Sequence, residues 1–194
     1  MAMSAVQQQS ERLAFYEVVT LHQKTIYGYL LRFTHNVHDA QDLFQDTFLR
    51  AYRVYTALPT DADLRAWLMR IAVNLSKNYL RDRRRRGRVM VDEDYQQNVD
   101  GALFAEKSTD TEKTMISRET ARTLLVTIDT LPFRQRAALI QRQFEGLDYS
   151  VIATNLGCSP ESARAHVYQA LRKLRLSLSS SDDAQSFIHG RQSE

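Results

Sequence analysis

Two groups of residues in this 194-residue chain carry chemistry that folding alone does not require. The first lies near the C-terminus. A short apolar set, Tyr149, Ile152, Ala153 and Leu156, is followed by Gly157, by Ser159-Pro160, and by a second set, Ala163, Val167, Ala170 and Leu174. These lengths are those of a helix-turn-helix, whose second helix lies in the major groove of DNA. Its early outward positions hold Glu161, Ser162, Arg164, Ala165 and Tyr168, while His166, Arg172, Lys173 and Arg175 are placed to meet phosphates. An arginine fork matches the two acceptors on the guanine edge. The same spacing also describes a helical hairpin with a basic solvent face, and this pattern alone leaves both readings open. The second group is Lys77, Arg81, Arg83, Arg84, Arg85, Arg86 and Arg88, opposed only by Asp82. A helix dipole is satisfied by one or two cations at its C-terminus, so a run of this size points to phosphate binding rather than to capping.

Enzyme chemistry finds little support. There is no glycine-rich phosphate loop, no His-Glu-x-x-His and no Cys/His ligand set, and the chain is expected to have no catalytic residue, no cofactor and no metal. The single cysteine, Cys158, excludes an internal disulfide and reads as a packed thiol. His35 and His38 stand three apart with no further ligand near them and read as loop histidines. Asp39, Asp42 and Asp46 lie along one side of a helix, a solvated or partner-facing edge rather than opposing walls of a pocket.

The elements that position these groups are helical. The chain is 43% hydrophobic and 25% charged, with six glycines and three prolines, too few breaks for a many-stranded β fold. Leu21, Thr25, Tyr29 and Phe33 predict one helix, and Leu43, Thr47, Ala51 and Val54 or Tyr55 a second, capped by Asp39. Pro59 to Asp63 reads as a turn and an N-cap, after which Leu64, Leu68, Ile71, Leu75 and Tyr79 give the third helix its apolar stripe, with Trp67 beside it in the core. Arg70, Asn74, Lys77, Asn78 and Arg81 share its polar side. Between Val89 and Thr114 the periodicity stops and acids dominate, which predicts a flexible acidic linker. Helices follow over 116–130, 133–144, 149–156 and from Ser159 to about Leu178, then a Ser- and acid-rich tail. The expected fold is therefore all-α: one helical domain over 12–88, a linker over 89–115, a second domain over 116–178 containing the helix-turn-helix, and a disordered tail over 179–194. The net charge is only +3, and the uneven distribution of charge says more than the total. No apolar run reaches the length of a membrane span and Met1 to Gln9 lacks a signal-peptide pattern, so the expectation is a soluble cytoplasmic protein with no membrane insertion.

Three blocks in order resemble a family, the bacterial alternative sigma factors of the extracytoplasmic-function (ECF) group. Asp39 to Arg53 is similar to that family's core-polymerase-binding helix, Ala66 to Arg81 to its minus-ten recognition helix, and Leu131 to Leu174 to its minus-thirty-five-binding domain. The resemblance implies that Asp42, Gln45, Asp46, Phe48 and Arg50 dock on the clamp helices of the largest subunit of core RNA polymerase. It implies that the loop Leu58 to Asp63, including Asp61, forms with Asn74 a pocket for a flipped minus-ten base, with Arg70, Lys77, Asn78, Arg81 and Arg84 on the adjacent phosphates. In the second domain it assigns Arg164, Ala165 and Tyr168 to the groove and His166 and Arg172 to the backbone, beside Glu161 and Ser162 at the helix entrance. The implied partners are core RNA polymerase, promoter DNA and an anti-sigma factor. The chain departs from the family at Gln41, where Glu is usual; at Leu58 and Thr60, where an aromatic residue and a glycine are usual; and at Glu161, where a small residue is usual. The alternatives are a free-standing helix-turn-helix regulator and a helical polymerase-binding adaptor.

Overall fold

The computed structural model describes residues 12–85, 120 and 123–179, and no strand occurs among the described residues. The expected linker, the tail beyond Ser179, Arg86 and Arg88 lie outside them.

Helix α1 (Phe15–Thr34) buries Val18, Ile26, Tyr29, Leu30 and Phe33 along one stripe. Leu21, expected in that stripe, is 63% exposed. It lies one turn before Thr25 on a flank of the helix, whereas the buried set runs from Val18 to Ile26 and then to Tyr29, Leu30 and Phe33. At the start, the Glu17 carboxylate accepts the Ala14 N–H at 2.7 Å. At the end, His35 takes a left-handed conformation (φ 53°) and donates its N–H to the Leu31 carbonyl, an arrangement that costs a residue with a Cβ about 1 kcal/mol or more.

Helix α2 (Val37–Tyr55) begins earlier than expected because Asn36, not Asp39, is its cap: the Asn36 side chain accepts the Asp39 N–H at 2.9 Å. Asp39 sits in the first turn, where its carboxylate accepts from the Tyr79 hydroxyl at 2.7 Å and ties α2 to the third helix. The register choice falls on Tyr55, which is buried, while Val54 faces outward at 48% exposure.

Helix α3 (Leu64–Arg85) is capped as expected, the Asp63 carboxylate accepting from Ala66 N–H at 3.0 Å. Trp67 packs against the core, its ring 6.5 Å from that of Tyr55. Burial on α3 is broader than the sequence stripe: Met69, Ala72, Val73, Ser76 and Leu80 are covered as well.

The second lobe starts with α4 (residues 123–130), then a break at Leu131-Pro132 and α5 (Phe133–Gln143). Gly146, at φ 64°, turns the chain into α6 (Tyr149–Leu156). Gly157, at φ 61°, ends α6, and the Cys158 N–H returns to the Ala153 carbonyl at 3.0 Å, the long bond of a Schellman turn. Ser159 caps α7 (Pro160–Ser179) through the Ser162 N–H at 3.2 Å. Two buried amides lock the corner between α5 and α6: Asn155 donates to Gln141 at 2.7 Å, and Gln141 donates to the Ala137 carbonyl at 3.1 Å. Such a pair is stable only when every member finds a partner.

The lobes share a core. Helix α3 carries α6 along its flank, and α5 packs against α1 and α3. One continuous apolar cluster therefore runs from Val18 and Phe33 through Met69 and Val73 to Ile140, Ile152 and Val167.

Candidate nucleic-acid interface

Three helices present polar faces to solvent. At about 100° per residue, Glu161, Arg164, Ala165, Tyr168 and Arg172 fall on one face of α7, and all are exposed. Ser162 is half-buried at the edge, its hydroxyl 3.2 Å from that of Ser159. The Arg164 guanidinium stands 5.2 Å above the Tyr149 ring, which orients the fork at the head of the helix. At the same place the backbone N–H and Ser159 hold the Glu161 carboxyl below its ordinary pKa, so it is an anion.

His166 departs from the expected backbone contact. It faces inward beside the buried set Ala163, Val167 and Ala170, both ring nitrogens are covered, and burial together with the positive charge of Arg134 pushes its pKa down. A neutral, covered imidazole offers nothing to a phosphate. The helical period of the buried residues places His166 on their side of α7.

On α3, Arg70, Asn74, Lys77, Asn78, Arg81 and Arg84 fall within about 120° of one another and all are exposed. Arg70, Asn74, Lys77 and Asn78 make no hydrogen bond or ion pair with described residues, while Arg81 meets Asp82 at 3.3 Å. The loop from Leu58 to Asp63 adjoins the start of this helix; Leu58 is half-buried and Asp61 exposed. Its backbone–backbone hydrogen bonds include the short-range turns Leu58 N–H to Tyr55 and Ala62 N–H to Pro59.

On α2, Asp42, Gln45, Asp46 and Arg50 share an exposed face, with an i,i+4 pair of 3.9 Å between Asp46 and Arg50. Phe48 does not belong to it. It is 8% exposed and its ring lies 4.8 Å from that of Phe44 and 6.4 Å from that of Phe15, so it supports the face from beneath. Leu49 and Tyr52, 56% and 65% exposed, occupy the outward positions instead. The period that buries Thr47, Ala51 and Tyr55 is the signal that separates them from Phe48.

The remaining polar cluster lies between the lobes, and no helical period or motif in the sequence marks it. Arg136 of α5 is buried at 1% exposure. Its guanidinium pairs with Asp129 at 2.6 Å, donates to the Phe33 carbonyl, lies 4.7 Å over the Phe33 ring and stands 3.3 Å from His35 Nδ1. Burial pushes the Asp129 carboxyl up, but the hydrogen bond with His35 and the charge of Arg136 outweigh it and hold the pKa at about 2. Burial pushes His35 the other way, below its ordinary value, despite Asp129 at 3.2 Å. His38 is exposed, so the two histidines do not converge. Nearby, Arg32 meets the Glu145 carboxylate at 3.2 Å and Arg65 donates to the Glu145 carbonyl at 2.8 Å, joining α1 and α3 to the turn before α6.

An all-helical protein with a helix-turn-helix lobe and a second lobe bearing a basic helix face belongs to the class of nucleic-acid-binding proteins. Comparison with known proteins narrows the class. Residues 18–86 match the family model Sigma-70 region 2, and residues 121–174 match Sigma-70, region 4. Over 166 residues the chain is 36% identical to the RNA polymerase sigma-H factor of Pseudomonas aeruginosa, covering 84% of this chain and 85% of that one. It is 32% identical over 165 residues to the ECF RNA polymerase sigma-E factor of Haemophilus influenzae, covering 84% and 86%. In fold it resembles the sigma factor RpoE from Bartonella quintana, solved in complex with the anti-sigma factor NepR, with a TM-score of 0.60 and 22% identity over 86% of this chain and 98% of that one. The chain belongs to the ECF sigma factors of the sigma-70 family.

Proposed function

We propose that this chain binds core RNA polymerase through the outer face of α2, directs it to two-part promoters through α7 and α3, and helps to open the DNA. The observation that carries the reading is the basic face of α3, whose Arg70, Asn74, Lys77 and Asn78 have no partner among the described residues although they crowd one side of a helix. Concentrated like charge of this kind costs folding energy and is useful against phosphates. In this reading Asn74 and the Leu58–Asp63 loop hold an unstacked minus-ten base, Arg70, Lys77, Asn78, Arg81 and Arg84 hold the strand, and Glu161, Arg164, Ala165, Tyr168 and Arg172 read the minus-thirty-five element. Asp42, Gln45, Asp46 and Arg50, joined by Leu49 and Tyr52, face the polymerase. The chain works as a binding subunit rather than an enzyme, in the cytoplasm, where polymerase and DNA are.

The packed lobes add a requirement. Two promoter elements about 25 base pairs apart are separated by roughly 85 Å of duplex, while packed helices lie about 8 to 10 Å apart. Because α3 carries α6 on its flank, both elements are engaged only after the lobes part. The closed arrangement is the form an anti-sigma partner would hold.

The test is run-off transcription by core polymerase on fragmented genomic DNA, with transcript starts sequenced. New starts sharing an upstream two-part element are expected. Asn74→Ala reduces opening while leaving polymerase binding intact, and Asp46→Arg does the reverse. Polymerase binding without new starts would favour the adaptor, and duplex binding without polymerase the free-standing regulator. Equal behaviour of the two variants would count against the site assignment.

A further inference from the structure

The end of α2 and the loop that follows it are held by a residue that precedes α1 in the chain. Arg12, just before α1, donates one guanidinium nitrogen to the Tyr55 carbonyl and the other to the Leu58 carbonyl, with its centre 5.2 Å from the Tyr55 ring. The tie is reciprocal, since the Tyr55 hydroxyl donates to the Leu13 carbonyl at 2.7 Å. The last carbonyls of a helix have no partner within it, and a cation there also meets the negative end of the dipole. Arg12 does more than cap, because Leu58 lies beyond the helix and opens the loop. At the far end the Asp63 carboxylate fastens the chain to α3. The backbone–backbone bonds between these two anchors are local turns, Ala57 to Val54, Leu58 to Tyr55 and Ala62 to Pro59, which shape the loop without attaching it to the body of the lobe.

We propose that Arg12 is a positioning residue for this loop: by clamping Tyr55 and Leu58 it fixes the entrance of the pocket in which the loop and Asn74 hold an unstacked base. The inference rests on the flipped-base reading given above. A loop already held in its binding conformation loses less freedom when the base arrives, so the clamp contributes to capture of the base without touching it. The planar fork is essential, because two carbonyls are reached at once; lysine reaches one.

The experiment uses the full chain assembled with core polymerase and two fork-junction DNAs, identical except that one has an abasic site at the flipped minus-ten position. Arg12→Ala is expected to weaken the base-bearing fork about tenfold, the equivalent of about 1.4 kcal/mol and the size of one charged hydrogen bond. Affinity for the abasic fork and for core polymerase stays unchanged, and Arg12→Lys falls between. Tyr55→Phe, which breaks only the reciprocal bond, gives a smaller loss in the same direction and serves if Arg12→Ala does not fold. Equal weakening of both forks would reduce Arg12 to a structural cap and overturn the proposal, as would no weakening of either. A wild-type complex that binds both forks alike would remove the flipped-base reading itself, and this outcome is visible before any variant is made.

Discussion

Replacing Arg136 by alanine tests whether the lobes are held together by the cluster between them. The side chain is 1% exposed and spans both lobes: Asp129 lies on its own side, while the Phe33 carbonyl, the Phe33 ring and His35 lie on the other. Removing one partner of a buried pair costs about 3 to 5 kcal/mol. The Asp129 side chain is 27% exposed and regains water, which places the total near the lower end, about 3 kcal/mol. The share belonging to the lobe contact is a charged hydrogen bond to a carbonyl, about 1.5 to 3 kcal/mol, and a cation–π contact of about 0.5 to 2 kcal/mol. Allowing for incomplete additivity, about 2 kcal/mol of lobe contact is lost, which shifts the closed-to-open ratio about thirtyfold. Spin labels or fluorophores placed on Thr20 in α1 and Lys173 in α7, both exposed, report the interlobe distance. The variant should show a larger open population and faster association with core polymerase. An unchanged distance distribution in a variant that keeps its helicity would refute the latching role. Arg136→Lys retains the charge but not the fork and should open the lobes partially.

Acidification should act on the same cluster. The pKa of His35 is lowered by burial, against the pull of Asp129 from α4 and with Arg136 from α5 and Arg83 from α3 adding to the lowering. Its contribution is complete above the unfolded value near 6.5 and is lost as pH falls from there through the folded value, at up to about 1.4 kcal/mol per pH unit. Asp129, held at about 2 from 3.8, contributes above its unfolded value and loses its share only between about pH 4 and 2. Thermal melts from pH 7 to pH 5 should therefore show falling stability that His35→Gln flattens; an unaltered slope in that variant would sink the assignment. Phe48→Ala should lower stability by about 3 kcal/mol or more in a denaturant melt. Leu49→Asp, at an exposed position, should change stability by less than about 0.5 kcal/mol and weaken polymerase binding. The opposite pattern would return Phe48 to the docking face.

Much of the local structure was legible because its causes are neighbours in the chain. Asp63, Ser159 and Gly157 mark helix ends through caps and a left-handed turn that need only the next few residues. At the start of α2 two suitable caps stand three residues apart, and the sequence alone does not choose between them: Asn36 takes the cap, and Asp39 is drawn to the Tyr79 hydroxyl. The polar faces of α3 and α7 follow from their period, and the same period turns Phe48 and His166 inward.

What only the tertiary structure decided is the relation between the lobes. No sequence sign marks the flank of α3 on which α6 packs, and Arg136 reads as one basic residue among many until it is found between Asp129 and Phe33. Likewise Arg12 is an ordinary cation near the N-terminus until the fold brings the Tyr55 and Leu58 carbonyls to it. Periodicity and capping are fixed by contacts a few residues apart, so one sequence is enough to read them. A buried guanidinium or a shared core depends on groups many tens of residues away, and those meet only when whole helices have packed.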